Sequence, residues 1–183
     1  MSTTWHDVQE KAQQFRKAEM TYWLNEVLFS SGWWILFIST IALLIIWILI
    51  VDKKRILEII TYGLMVSMIG LIGDIIGISL LLWEYPIALI HTPQLLEVHD
   101  IQMPIIYMAI YQYFQKWKSF FIAAAILAFV FGLILEPILV WLGIYEPYAW
   151  KPVYGLIPYF IIAVVLKWIV HQLKKLDHHY KER

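Results

Sequence analysis

The chain has 183 residues, of which 61% are hydrophobic, 16% aromatic and only 15% charged, where a soluble domain carries about 25% charged residues. Fourteen Lys and Arg balance fourteen Asp and Glu, so no basic field draws in a polyanion and nucleic-acid binding is set aside. Cysteine is absent, which excludes disulfides, thiol catalysis and thiolate metal sites.

In chain order, residues 1–32 read as an N-terminal amphipathic interfacial helix. Val8, Ala12, Phe15 and Tyr22 fall on one face and Gln9, Glu10, Gln13, Gln14 and Lys17 are polar; Thr4, followed three residues later by Asp7, is an N-cap. No basic segment leads into an apolar run with a small-residue cleavage site, so removal of a signal peptide is not expected. Ser30-Ser31-Gly32 breaks the helix.

Five apolar runs follow, at about 33–51, 56–83, 95–115, 119–142 and 153–170, each read as a crossing of a hydrocarbon core about 30 Å thick. The predicted fold is an all-α membrane protein, a five-transmembrane-helix bundle spanning 33–170 with a cytoplasmic tail at 171–183. Asp52-Lys53-Lys54-Arg55, then Lys116 and Lys118, mark the inner turns. Nine Lys and Arg fall inside and four outside when the N-terminus is placed outside and the C-terminus in the cytoplasm, as the positive-inside rule requires. Trp33, Trp34, Trp83, Trp141 and Trp150 form the outer aromatic belt, with Trp117 and Trp168 inside. Residues 84–98 read as an outer loop or a re-entrant half-helix.

The second run carries an acid. Gly63, Ser67, Gly70, Asp74 and Gly77 recur at steps of four and three, a stripe of small residues that must face protein. Ala125, Ala128, Gly132 and Glu136 make a similar stripe in the fourth run, interrupted by Pro137. At 1.5 Å per residue, Asp74 lies about 27 Å from Ile56 and Glu136 about 26 Å from Ser119, so both are expected in the outer half. Asp100, Pro104, Tyr107 and Tyr111 share a face of the third run.

An intramembrane acid is by default a functional site, and the expected one is an outer polar pocket around Asp74, Asp100 and Glu136, with Glu84, His99, Tyr107 and Tyr111 as further ligand-binding candidates. The competing reading is that Asp74 and Glu136, with no intramembrane Lys or Arg as partner, are protonated and fasten helices. His91, Glu97, His99 and Asp100 lack a zinc spacing, and no nucleophile elbow, phosphate loop or Walker motif is present, so no metal and no cofactor are expected. No catalytic residue or enzymatic activity is assigned. The leading function is recognition of a lipid or amphiphile of the outer leaflet, with acid–base chemistry by the carboxyls left open. Proton- or cation-coupled transport is the alternative, opposed by the absence of repeated, discontinuous helices; a scaffold subunit is the third. Expected partners are membrane lipids, and a homo-oligomer or membrane complex is left open.

Trp83-Glu84-Tyr85-Pro86, Asp100 with Pro104, Tyr111 to Phe114 with Lys116 to Lys118, Glu136-Pro137, Gly143 to Tyr145 and Trp150 together resemble a family of small multi-pass membrane proteins of spore-forming Gram-positive bacteria. The resemblance covers roughly residues 33–170. It implies a multi-helix protein of a bacterial cell or spore membrane, and brings with it no activity and no functional residues.

Overall fold

A computed structural model of the chain describes residues 3–91 and 101–181. It is predominantly helical. Among the described residues, four helical segments are long and apolar enough to cross a membrane: Ser31–Ile50, Lys53–Ser79, Trp117–Trp141 and Pro152–Asp177.

Helix α1, Trp5–Tyr22, starts at a capping box: the Thr4 side chain accepts from Asp7 N and the Asp7 carboxylate accepts from Thr4 N. None of its residues is buried. It runs into a π turn, Trp23–Val27, and the path breaks at Phe29, whose φ is 63°. Helix α2, Ser31–Ile50, begins where Ser30 Oγ accepts from Trp33 N at 3.2 Å. A basic turn, Lys53–Arg55, leads into α3, Ile56–Ser79. After strand β1, Trp83–Glu84, comes helix α4, Gln102–Tyr113. Helix α5, Trp117–Val130, passes through a second π turn, Phe131–Leu135, into α6, Glu136–Trp141. Strand β2, Glu146–Pro147, precedes α7, Pro152–Lys181.

The bundle is built around α4. Met103, Pro104, Ile105, Tyr107, Met108, Tyr111 and Gln112 are all buried, against α3, α2 and α5. Small residues bring the neighbours close, since lipid gives apolar helices little reason to associate beyond good packing. A Cβ at Gly63 would collide with the Met108 side chain. Gly132 lies so near the start of α7 that a Cβ would stand 2.9 Å from the Pro152 carbonyl oxygen. Polar side chains add helix-to-helix bonds: Tyr62 donates to the Ala163 carbonyl at 3.1 Å and Tyr107 to the Tyr159 carbonyl at 2.8 Å.

Gln102 and Gln112 set the depth of α4. Gln102 Nε2 donates to Ser39 Oγ at 3.0 Å and Thr40 Oγ1 at 2.8 Å, midway along α2. Gln112 accepts from Asp52 N at 2.8 Å and donates to the Ile50 carbonyl at 2.8 Å, at the end of α2. Twelve helical residues rise about 18 Å, so α4 covers about half of a hydrocarbon core. The expected crossing at 95–115 is therefore a half-length helix as described; its proposed extension to Leu95 lies outside the described residues.

Other expected boundaries shift for local reasons. The second run extends to Trp83 by composition, yet α3 ends at Ser79. Leu81 turns with a φ of 52°, and the Leu82 carbonyl faces the amides of Tyr148, Ala149 and Trp150, at 2.9, 3.1 and 3.2 Å. A tertiary contact captures this chain, and hydropathy does not register it. Nothing in 171–181 breaks a helix, so α7 continues through most of the segment expected to be a tail. The small-residue stripe of α5 is also displaced: Ala124 and Ala128 are buried while Ala125 is exposed. The π turn adds a residue to the register and brings Gly132 and Glu136 back to the inner face.

Candidate functional site: an acid pair beneath an aromatic clamp

Asp74 and Glu136 are each 3% exposed. Asp74 lies near the end of α3, facing the returning chain. Trp83 Nε1 donates to Asp74 Oδ1 at 3.2 Å and the Tyr85 hydroxyl donates to the same oxygen at 2.9 Å. Gly77, one turn further along α3, makes room for this arrangement, because a Cβ there would lie within the Trp83 ring.

Glu136 opens α6 immediately after the π turn. Pro137 cannot donate to the carbonyl four residues back, and the π turn absorbs that local mismatch. The Tyr159 hydroxyl donates to Glu136 Oε1 at 2.7 Å. Gly155, on the same stretch of α7, lets the carboxyl approach: a Cβ there would stand 2.9 Å from Glu136 Oε1 and 2.8 Å from the Tyr159 ring.

Tyr145 joins the two acids. It is 3% exposed, its ring is 5.5 Å from that of Tyr85, and it senses both carboxyls. Burial first, then the negative charges of Glu136 and Asp74, hold its phenol well above the ordinary tyrosine range. The pair β1 and β2 closes over this layer, with Trp83 opposite Pro147 and Glu84 opposite Glu146. Trp83 and Trp150 meet edge to face at 4.9 Å.

Beside Glu136 is a cavity of about 40 Å³, lined by Gln102, Met103 and Ile106 of α4 with Phe131, Leu135, Leu139 and Tyr159. A water needs roughly 10–15 Å³ by this kind of measure, whereas an engineered cavity that takes benzene is about 150 Å³. The space suits a water-sized occupant. It is too small for a lipid headgroup.

Of the expected site residues, Asp74 and Glu136 are both buried, and both lie within electrostatic reach of the Tyr145 phenol. Asp100 and His99, with Glu97, lie outside the described residues. Glu84 is in the clamp, where it accepts from the Tyr148 hydroxyl at 3.1 Å. Tyr107 is in the core, bonded to the Tyr159 carbonyl. Tyr111 does not belong to this site, contrary to expectation. Sharing a helix face with Pro104 does not place it at the same depth, since seven residues of rise separate them by about 10.5 Å.

Tyr111 instead donates to Glu58 Oε1 at the other end of the bundle. Arg55 reaches the Glu58 carboxylate at 3.0 and 3.2 Å, and Lys174 reaches it at 2.8 Å. Lys167, 7% exposed, donates to the carbonyls of Phe114 at 2.7 Å and Gln115 at 3.0 Å. Its ammonium lies 3.9 Å from the centre of the Phe120 ring. Lys167 is a cation inside the fifth apolar run, and it is engaged in capping the end of α4 through the Phe114 and Gln115 carbonyls. Tyr159 and Gln102 escaped the sequence reading because each earns its role from another helix. Lys167, inside an apolar run, was a legible signal.

Among the described residues, no group of three or more His, Asp and Glu could hold a metal ion. No protein-family model matches the chain, and neither a curated protein nor a solved structure was found to match it.

Proposed function

We propose that this is a bacterial integral membrane protein that exchanges protons at Asp74 and Glu136 in proton- or cation-coupled transport. The observation that carries the proposal is the setting of Glu136: a buried carboxyl, directly after a π turn, in the wall of a water-sized cavity lined by the first residues of α4. Half-length helices ending at mid-membrane are a recurring device of transporter sites, and π turns recur at functional ones. The half-length α4 answers one part of the objection that the sequence offers no repeated, discontinuous helices: it supplies a short helix, though not a repeat of it.

Five crossings, with the N-terminus outside, fit this reading. Trp23 and Trp33, near the start of α2, donate to the carbonyls of Ala88 and Leu89 at 3.0 Å each, whereas Gln112 meets the end of α2. Helix α4 itself runs along the second half of α2, from Ser39 and Thr40 to its end. The bacterial membrane location comes from the family resemblance.

Recognition of an outer-leaflet amphiphile is the second reading. It is favoured by one feature: Trp83 and Tyr85 are both clamp residues and the donors to Asp74, so lifting the clamp would open the carboxyl to a headgroup.

The test is proton flux into proteoliposomes that enclose a pH-sensitive dye, with Asp74→Asn and Glu136→Gln beside the wild type. Flux above protein-free liposomes that falls at least about tenfold in both variants, with melting temperatures retained, supports the transport reading. Wild-type flux equal to that of empty liposomes overturns it. In that event, loss of co-purifying lipid from the same variants in native mass spectrometry would favour the amphiphile reading.

A further inference from the structure

The α2–α3 turn and the α4–α5 turn are held side by side by Gln112. Its side chain bonds Asp52 N and the Ile50 carbonyl, and its own carbonyl accepts from Arg55 at 3.5 Å. Four residues later, Lys116 caps the start of α5. Arg55 and Lys174 are engaged by Glu58, and Lys167 by the α4 carbonyls. Lys53, Lys54, Lys116 and Lys118 are not: no ion pair or side-chain hydrogen bond among the described residues occupies their ammonium groups, and all four are exposed. Asp52 is the nearest acid in sequence, and it is partly used in accepting from Lys54 N at 3.0 Å.

The apolar surface beside these lysines is exposed as well. Tyr113 is 60% exposed and Phe114 40%, between Gln112 and Lys116, and Leu57 is 79% exposed just beyond the first basic turn. Unneutralised ammonium groups next to exposed aromatic and aliphatic side chains match a ligand with an anionic head and an acyl body. A free anion would need only the lysines.

The geometry points to a binding site for an anionic phospholipid, its phosphate between the Lys53-Lys54 and Lys116-Lys118 turns and its chains along Leu57, Tyr113 and Phe114. The site lies at the opposite end of the bundle from Asp74 and Glu136. It requires only that the long helices sit in a bilayer. Basic pockets between helix ends are known binders of anionic headgroups, each Lys near the surface contributing about a fivefold gain in affinity.

The experiment is native mass spectrometry of the full chain in mild detergent, titrated with phosphatidylglycerol or phosphatidylcholine of matched chains. The wild type is expected to retain phosphatidylglycerol at least about tenfold more. Lys53→Gln with Lys54→Gln, and separately Lys116→Gln with Lys118→Gln, should each lose most of that preference at an unchanged melting temperature. Equal retention of both lipids by the wild type overturns the site, as does undiminished preference in both double variants. Inorganic phosphate that displaces the lipid at equal concentration would mark a site for a free anion and overturn the lipid assignment. If one double variant fails to fold, the other decides, since each removes one wall of the same site.

Discussion

Tyr159 holds Glu136 through its hydroxyl, at 2.7 Å, while its own backbone carbonyl accepts from Tyr107. One residue of α7 thus ties a buried carboxyl to the central helix. Tyr159→Phe keeps the ring and its packing against Phe131 but removes the donor. Because a buried acceptor that loses a partner costs about 1–3 kcal/mol, the variant should melt lower in detergent by that equivalent. Unchanged melting would mean that Glu136 finds an equal donor when Tyr159 withdraws.

Two glycines separate packing from helix propensity. Gly132→Ala would place a methyl 2.9 Å from a backbone oxygen of α7, which has no rotamer with which to retreat; overpacking of this kind costs about 1–3 kcal/mol. Gly73, on α3, has nothing within 4 Å of a Cβ, and Gly73→Ala should be neutral or stabilising by up to about 1 kcal/mol. Thermal unfolding of the pair tests the contact, and equal effects would place Gly132 away from α7.

Tyr145 makes stability pH-dependent on the alkaline side. Its folded-state pKa is raised by burial and by the charges of Glu136 and Asp74, above an unfolded value near about 10. A raised value means that its contribution is fully present below about pH 10 and is lost as pH rises toward the folded pKa, because only the unfolded phenol ionises readily in that window. Wild-type melting temperature should therefore fall more steeply above about pH 10 than that of Tyr145→Phe. Parallel curves would contradict the buried position of this phenol.

The orientation can be read by labelling, since the chain has no cysteine of its own. Cysteines at Lys54 and Lys116 should resist an impermeant thiol reagent in intact cells, while one at Glu146 should react. The reverse pattern would invert the bundle and place the acid pair on the cytoplasmic side.

Sequence reasoning reached four of its five apolar spans, the Thr4 cap, the burial of Asp74 and Glu136 and the close approach at Gly132, because each depends on a local pattern or on the cost of burying charge. It misjudged what depends on a distant partner. The end of α3 is set by three amides from the loop after Trp141, and Tyr111 pairs with Glu58 from 53 residues away. The half-length of α4 was hidden for another reason. A helix buried among other helices need not satisfy lipid, so its length and hydropathy follow its neighbours.

That last property bears on how the protein is made. Helix α4 carries Gln102, Tyr107, Tyr111 and Gln112, whose partners are supplied by α2, α3 and α7. Two of these precede it from the ribosome. The third is the final helix of the chain, which brings the carbonyl for Tyr107 and the ammonium that covers the exposed end of α4. Until α7 is in place, the Tyr107 hydroxyl and the last carbonyls of α4 lack the partners that α7 brings, so α4 gains its full set of bonds only when α7 packs against it.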